Sequence, residues 1–253
     1  MFQLDLSADV GEAAGAAGRS LDFELLSLVS SASIACGGHA GDENSMRRTT
    51  ALAVRLGVAV GAHPGYVDRE GFGRRELELP AETIAAQVVD QLHALIRCAA
   101  SEGARVRYVK PHGALYNRAA REQALADAIA AAVRSVDGSL ALLGLAGSAL
   151  VCAAGAAGLR GVAEAFLDRG YAADGSLVPR SQPGALVDDG EAVARRAVRL
   201  ARERVLEAVN GTRLPVAAES CCVHSDSPRA SELLRAARTA LERAGITIAP
   251  FAA

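Results

Sequence analysis

Lysine and tryptophan are nearly missing from this chain, which has one lysine, Lys110, and no tryptophan among its 253 residues. Aromatic residues make up only 4% of it, so its core must be built from alanine, valine, leucine and isoleucine. No apolar run approaches the roughly 18 residues that a membrane-spanning helix needs. The amino terminus lacks the basic stretch of a signal peptide. Together these absences predict a cytoplasmic protein.

Cysteine occurs five times and never with the C-x-x-C spacing of zinc sites and redox pairs. The five are Cys36, Cys98, Cys152, Cys221 and Cys222. An odd number without a pairing pattern argues against a disulfide framework. We therefore expect five reduced thiols in a chain that is long enough to bury its own core.

An excess of positive charge is also lacking, since 27 basic residues face 29 acidic ones and the net charge is −2. A nucleic-acid-binding protein would normally show a basic excess or a basic face. The familiar phosphate-binding loops are missing as well. Lys110 is followed by Pro111, which rules out the P-loop motif, and no G-x-G-x-x-G run follows a predicted strand.

The single lysine stands out because the other 26 of the 27 basic residues are arginines. A generic positive charge in this chain is therefore supplied by arginine. A lysine offers a compact charge, three rotatable donors and an adjustable pKa, none of which arginine provides. Lys110 is thus a candidate functional residue, with chance retention as the alternative.

Short β-rich runs alternate with segments of helical periodicity, which predicts an α/β protein with parallel strands. The candidate strands are 4–6, 33–35, 58–60, 106–110 and 140–143, with weaker ones at 162–163, at 216–218 or 221–223, and at 246–248. Their even spacing over residues 1–253, with no linker, favours one domain with a closed or nearly closed barrel. An open doubly wound sheet is the alternative.

Titratable residues follow the predicted strands, in turns that also contain glycine or proline. They are Asp9, Glu12, His39, Asp42, His63, Lys110, His112 and His224. In parallel α/β folds the carboxyl ends of the strands meet at one face, where active sites form. Four of the five histidines are predicted to share this face. The fifth, His93, falls on the polar side of a predicted helix and should be exposed.

Two kinds of chemistry suit this set of side chains. Imidazoles exchange protons near neutral pH, and Asp9, Glu12, Asp42 and Asp226 could orient them or act as bases. Histidine and carboxylate could equally hold a divalent metal that activates water. There is no H-E-x-x-H motif, so the spacing leaves the question of a metal open. Positive charge for a carboxylate or phosphate would come from Lys110, Arg74 and Arg75.

Taken in order, these segments resemble the LamB/YcsF family over nearly the whole chain. The runs that carry the resemblance are 5–12, 34–42, 61–65, 71–75, 109–117, 168–171, 174–180 and 222–224. The most specific are the Lys-Pro-His-Gly-Ala-Leu-Tyr-Asn run at 110–117 and the Ala-Cys-Gly-Gly-His-Ala-Gly-Asp run at 35–42. The resemblance implies a distorted, roughly seven-stranded β/α barrel similar to that of glycoside hydrolases and polysaccharide deacetylases.

The family resemblance also implies an activity, which is that of the A component of a bacterial ATP-hydrolysing 5-oxoprolinase. That enzyme opens the lactam of 5-oxo-L-proline to L-glutamate, with ATP and Mg²⁺ as expected cofactors and subunits B and C as expected partners. Asp9, Glu12, His39, Asp42, His63, His112 and His224 would be catalytic. Lys110, Arg74, Arg75, Tyr116 and Asn117 would bind substrate or phosphate.

Four positions depart from the family pattern. Ser7 and Ser33 stand where the family usually has asparagine, Gly38 replaces a phenylalanine, and Ser225 replaces a glycine. Two other functions remain open. One is a metal-dependent deacetylase or amidohydrolase that works alone, and the other is a non-catalytic subunit that binds a small acid.

Overall fold

The computed structural model describes residues 2–227 and 229–252, in which seven parallel strands close into a barrel. Numbered in chain order, the barrel strands are β1 (Gln3–Val10), β2 (Ser31–Ala35), β3 (Ala59–His63), β4 (Val106–Val109), β5 (Ala141–Leu145), β6 (Arg160–Phe166) and β9 (Ser220–Val223). β9 pairs with both β6 and β1, which closes the sheet on itself. The predicted seven-stranded barrel is therefore confirmed, and the open sheet is excluded.

Within residues 2–227 and 229–252, three shorter strands lie outside the barrel. β7 (Val205–Glu207) and β8 (Arg213–Pro215) form an antiparallel hairpin, and β10 (Thr247–Ile248) pairs with the first residues of β1. The two alternative positions for the last barrel strand are thereby resolved. Residues 221–223 lie in β9, whereas residues 216–218 precede it.

Helices follow most of the barrel strands and cover the outside of the barrel. They are α1 (Gly15–Leu26), α2 (Glu43–Leu56), α3 (Ala81–Ser101), α4 (Gly113–Arg121), α5 (Gln123–Val136), α6 (Ala149–Ala156), α7 (Gly190–Glu203) and α8 (Ala230–Arg243). α3 buries Ile84, Val88, Leu92, Leu95 and Ala99 and leaves His93 exposed, as predicted for the fifth histidine. Among the described residues, no helix has both the length and the apolar character to cross a membrane.

The alternation of side chains along β1 separates the hydrophobic core from a polar barrel interior. Leu4, Leu6, Ala8 and Val10 belong to the main hydrophobic core. The intervening Asp5, Ser7 and Asp9 instead contact residues of other barrel strands: Asp5 and Ser7 reach Ser220 of β9, while Asp9 reaches Lys110 at the end of β4. The barrel interior therefore carries polar groups from its amino end to its carboxyl end.

The middle of the barrel is filled by the ring of Tyr108, which crosses above Gly61. A Cβ atom at Gly61 would lie 2.2 Å from that ring, so a larger residue there would have to displace Tyr108. Ser33 lies 3.3 Å from the Tyr108 hydroxyl, and Ser7 donates to the carbonyl oxygen of Cys221 at 3.3 Å. These two departures from the family pattern thus belong to the barrel interior.

Asp5 lies buried near the amino end of the barrel, where three serine hydroxyls donate to it. Ser30, Ser31 and Ser220 are 2.7, 2.6 and 2.6 Å from its carboxylate oxygens. Burial raises the pKa of Asp5 to about 6, although these hydrogen bonds oppose the increase. The folded protein therefore holds this proton more tightly than the unfolded chain does.

Replacing Asp5→Asn should remove a pH dependence of stability. Well below pH 3.8 the carboxyl is protonated in both states, whereas above pH 6 the folded protein buries a charge. The free energy of unfolding of the wild type, relative to Asp5→Asn, should therefore fall by up to about 3 kcal/mol as the pH rises from 4 to 7. Urea unfolding at intervals across this range measures it. A difference that does not change with pH would contradict the prediction.

Candidate active site

A cavity of about 870 Å³ opens at the carboxyl ends of the barrel strands. Two long connections wall it, residues 64–80 after β3 and residues 167–189 after β6. Six buried or half-buried titratable residues form what we call its floor: Asp9, His63, Lys110, His112, Glu164 and His224. Three arginines that are more exposed form what we call its rim: Arg74, Arg121 and Arg180.

Lys110 is at the centre of the floor and is only 2% exposed. Its Nζ lies 3.0 Å from Asp9 Oδ1, 3.0 Å from Glu164 Oε1 and 3.3 Å from Cys222 Sγ. Burial opposes the charge on Lys110, but Asp9, Cys222 and Glu164 outweigh it and hold its pKa well above the usual value. The ammonium group is therefore charged and already balanced by protein carboxylates.

The two carboxylates beside Lys110 differ. Burial would raise the pKa of Asp9, but its interactions with His63 and Lys110 outweigh burial and hold this pKa well below its usual value. At Glu164 burial prevails, so its pKa is raised despite Lys110. The Tyr116 hydroxyl donates to the other oxygen of Glu164 at 3.0 Å. One carboxylate is thus firmly ionised while the other can hold a proton more readily.

A second cluster joins Glu12 to three histidines. Glu12 Oε1 lies 3.0 Å from His39 Nε2, 3.3 Å from His112 Nδ1 and 3.8 Å from His63 Nε2. The rings of His39 and His112 stack with their centroids 3.6 Å apart. The four ligand atoms all lie within 4.8 Å of one another, so this group could hold a metal ion.

Burial affects the acid and the base of this cluster differently. It lowers the pKa of His39 to about 4, although the hydrogen bond to Glu12 opposes the decrease. Burial would raise the pKa of Glu12, but its close contacts with His112 and His39 outweigh burial and hold this pKa well below its usual value. Glu12 is therefore an anion, and His39 is neutral near pH 7.

His224 reaches the cavity from the end of β9. Its Nδ1 lies 3.1 Å from both oxygens of Asp168, and its ring stacks on Phe166 with centroids 4.6 Å apart. Asp168 also accepts from the backbone N of His224 at 3.1 Å and from the Ser227 hydroxyl. A carboxylate fixed in this way orients the imidazole, an arrangement known from histidines that transfer protons.

At the rim, Asp226 joins two arginines from different connections. Arg74 and Arg180 both contact its carboxylate, the latter at 3.3 Å. The Arg74 guanidinium also lies over the Phe72 ring, 5.1 Å from its centroid. Both arginines line the cavity and are partly exposed, so they can meet an anion that enters from solvent.

The structure brings most of the predicted site residues together and places two elsewhere. Those at the cavity or in the Glu12 cluster are Asp9, Glu12, His39, His63, Arg74, Lys110, His112, Tyr116, Asn117 and His224. Asp42 instead caps α2, accepting from the Ser45 backbone N at 2.7 Å, and is exposed. Arg75 pairs with Asp68 and is not among the residues that line the cavity.

Two acidic residues of the site are additional to those predicted. Glu164 is fully buried in β6 between small apolar neighbours, and Asp168 follows two residues after that strand. A signal for Glu164 was present, because an acid inside an apolar strand needs a buried partner. Asp168 lies in the run 168–171 that supports the family resemblance, beyond the weak strand predicted at 162–163.

Comparisons with known proteins agree over almost the full length. The LamB/YcsF family profile matches residues 4–253. A Streptomyces coelicolor protein, named as the A component of 5-oxoprolinase, is 51% identical over 249 residues, which are 98% of this chain and 100% of that protein. The crystal structure of a lactam utilization protein from Thermus thermophilus is 44% identical, with a TM-score of 0.91, and covers 98% of this chain and 100% of that one.

A more distant structure shares only the fold. It is that of a candidate cellobiose-phosphate cleavage protein from Enterococcus faecalis, with a TM-score of 0.56 and 14% identity. It covers 98% of this chain and 97% of that one. The barrel is thus found well outside the set of close relatives, and the site must be interpreted from its own residues.

Gly38, which replaces a usual phenylalanine, has a physical explanation in the structure. The Gln91 side chain occupies the space: it accepts from the Gly65 N–H at 3.0 Å and donates to the Gly65 carbonyl at 2.8 Å. A Cβ atom at Gly38 would lie 2.3 Å from Gln91 Oε1 and 2.8 Å from the Gly65 oxygen. An amide therefore stands where the aromatic group would be.

Gly38→Ala should lower the free energy of unfolding by about 1–3 kcal/mol, because the added methyl group overpacks the site. In a Gln91→Ala background, Gly38→Ala should lower the free energy of unfolding by less, because the Gln91 amide, one of the two groups that the new methyl would clash with, is gone. Gly155→Ala in α6 is the matched control. Nothing lies within 4 Å of its new Cβ, so it should not destabilise. Equal costs of Gly38→Ala in both backgrounds would exclude this explanation.

Proposed function

This chain belongs to the LamB/YcsF family, and from this premise we propose that it is the A component of a 5-oxoprolinase. The proposed reaction is the ATP-dependent opening of the 5-oxo-L-proline lactam to L-glutamate. Two relatives support this choice by their names, a 5-oxoprolinase component and a lactam utilization protein. The first relative is named as one subunit of its enzyme, which supports a multi-subunit assembly, and we propose subunits B and C as the partners.

The observation that carries the proposal is the distribution of charge in the cavity. The floor is acidic, since Asp9 and Glu164 flank Lys110, whereas the rim presents Arg74 and Arg180. A substrate with an anionic group at one end and a neutral polar group at the other matches this layout. 5-Oxo-L-proline has a carboxylate for the rim and an uncharged amide for the floor.

Lys110 is paired with two carboxylates, whereas Arg74 and Arg180 share the single carboxylate of Asp226, so we assign the substrate carboxylate to the arginines and not to the lysine. Lys110 and Tyr116 then lie close to the amide end, where they would stabilise charge that develops on the lactam oxygen. His224 of the floor would carry protons to and from the ring nitrogen and the attacking water. Asp168 holds His224 in one orientation for that task.

ATP, with its Mg²⁺, provides the driving force in this proposal. A five-membered lactam is a stable amide, and transfer of the γ-phosphoryl group to its oxygen makes the ring carbon electrophilic. Water then adds to that carbon, the ring C–N bond breaks, and the nitrogen takes up a proton. The product of this step is an acyl phosphate, γ-glutamyl phosphate, and a second water hydrolyses it to L-glutamate and phosphate. ADP is released earlier, by the phosphoryl transfer. The cavity of about 870 Å³ exceeds the volume of a small lactam, which leaves room for phosphate groups.

Reconstitution tests the proposed function directly. The purified chain, mixed with its B and C partners, ATP, Mg²⁺ and 5-oxo-L-proline, should form glutamate and ADP in equal amounts, while each component alone should show little turnover. Coupled assays for the two products measure this. A complete mixture that releases no substrate-dependent ADP would overturn the proposal.

The role of the rim is tested by Arg180→Gln. Losing one charged contact to the substrate carboxylate should raise KM about 10-fold or more, with a smaller effect on kcat, because that contact is made equally in the ground state. Arg105→Gln is the matched control, since Arg105 pairs with Asp137 on the surface before β4 begins. An unchanged KM for Arg180→Gln would remove this arginine from the substrate site.

The cluster around Glu12 supports a second candidate function, a metal-dependent amidohydrolase or deacetylase that acts alone. Turnover without ATP and without partners would favour it. The variant His112→Ala tests whether the chain is a non-catalytic binding subunit. If the chain only binds a small acid, the affinity for 5-oxo-L-proline and the activity should fall together. If His112 is catalytic, the rate should fall while binding of 5-oxo-L-proline stays largely intact.

A further inference from the structure

We infer that Glu12, His63 and His112 form a binding site for a divalent first-row transition-metal ion. The positions of the protons on the two histidines are fixed by main-chain carbonyls. His63 Nδ1 lies 2.8 Å from the carbonyl oxygen of Lys110, and His112 Nε2 lies 2.9 Å from that of Phe72. A carbonyl oxygen only accepts hydrogen bonds, so both of these nitrogens carry protons.

The remaining ring nitrogens of His63 and His112 therefore present lone pairs in their neutral forms. These two nitrogens, His63 Nε2 and His112 Nδ1, face each other at 3.0 Å. Glu12 Oε1 lies 3.3 Å from the second, and Asp9 Oδ2 lies 3.4 Å from the first. The atoms of Glu12, His63 and His112 thus converge, with Asp9 beside His63, and a cation among the three removes their mutual repulsion.

The one lysine of the chain does not supply that cation. Its Nζ is placed between Asp9 and Glu164, and its contacts are to those carboxylates and to Cys222. The spacing of the donors instead suits an ion. Zinc bonds of about 2.0 Å in a tetrahedron put donors about 3.3 Å apart. The observed separations among Glu12, His63 and His112 are 3.0, 3.3 and 3.8 Å.

The surroundings hold each proposed ligand in position. Main-chain carbonyls fix the two imidazole rings, the arrangement that accompanies histidine ligands in metalloproteins. Phe72 supplies its carbonyl from a left-handed backbone conformation with φ of 53°, which is unfavourable for an aromatic residue and points to a constrained role. Ser225 donates to Glu12 Oε2 at 2.6 Å.

His39 is a positioning residue in this arrangement. Its Nε2 lies 3.0 Å from Glu12 Oε1, while its buried Nδ1 has no hydrogen-bond partner among the described residues. A buried N–H without an acceptor is costly, so the proton belongs on Nε2, from which it is donated to Glu12. His39 thereby orients the carboxylate without coordinating the ion.

The donor set selects the class of ion. Two imidazole nitrogens and one carboxylate are the ligands that Zn²⁺ and its neighbours favour, whereas Mg²⁺ prefers oxygen ligands and keeps several waters. Three protein ligands leave a coordination position open, and both histidines line the cavity. The ion would supply Lewis acidity toward a substrate oxygen. Binding of the ion requires neither ATP nor a particular substrate.

Metal binding to the full chain tests the inference without an activity assay. Protein freed of metal with a chelator is titrated with Co²⁺ and followed by its visible absorption, and with Zn²⁺ followed by calorimetry and thermal unfolding. We expect about one ion per chain, a Co²⁺ spectrum typical of mixed nitrogen and oxygen ligands, and a higher Tm with Zn²⁺. A wild-type chain that binds neither ion would overturn the inference. His63 and His112 would then share only a proton.

Variants then assign the ligands. His63→Ala, His112→Ala and Glu12→Gln should each weaken binding about 100-fold or more, and Ser225→Gly about 10-fold. His93→Ala, which removes an exposed histidine on α3, should bind like the wild type. Near-UV circular dichroism shows whether each variant is folded. If a variant is unfolded, the wild-type titration still tests the inference. Equal losses in His93→Ala and His63→Ala would mean adventitious binding and would reject the site.

Discussion

The rest of the site is arranged around one ammonium group held between two carboxylates inside a closed barrel. Transferring each such charge from water costs several kcal/mol, which close pairing must offset. Lys110 meets Asp9 and Glu164 at 3.0 Å each. A compact group with three rotatable donors can contact both carboxylates and Cys222, whereas a planar guanidinium has a fixed fork. This geometry explains why a chain that uses arginine elsewhere has a lysine here.

Closure of the barrel is what makes that arrangement possible. Side chains alternate along each strand, so one set packs in the hydrophobic core and the other points into the barrel interior. The closed sheet has no solvent-facing side on which the second set could contact water. Polar groups there must satisfy one another, as Asp5 does with three serines and Ser33 does with Tyr108. The catalytic candidates lie at the carboxyl end of the barrel interior. Their positions are set by the polar side chains packed below them in the barrel.

Strand–helix alternation predicted parallel strands, polar residues at strand ends predicted most of the cavity, and the family resemblance predicted the seven-stranded barrel over an open sheet. The sequence was less informative where a residue's partner comes from a distant strand. Glu164 gains its role only when β6 lies beside β4 and Lys110, and Asp168 only when it meets His224. Asp42 was predicted in the site because it follows a strand. Its carboxylate instead caps the first turn of α2. Periodicity locates a strand end but does not say which way each side chain there points.

The burial of Lys110 has a chemical consequence for the whole molecule. It is the only side-chain amine in the chain and is 2% exposed, so the surface offers arginines but no lysine. A reagent that acylates amines must enter the cavity, and Lys110 must part from Asp9 and Glu164 before it can react. The rate of its acylation would report on that local opening, much as the exchange of a buried amide proton does. The acylation rate of Lys110 would therefore measure how often its ion pairs with the two carboxylates break.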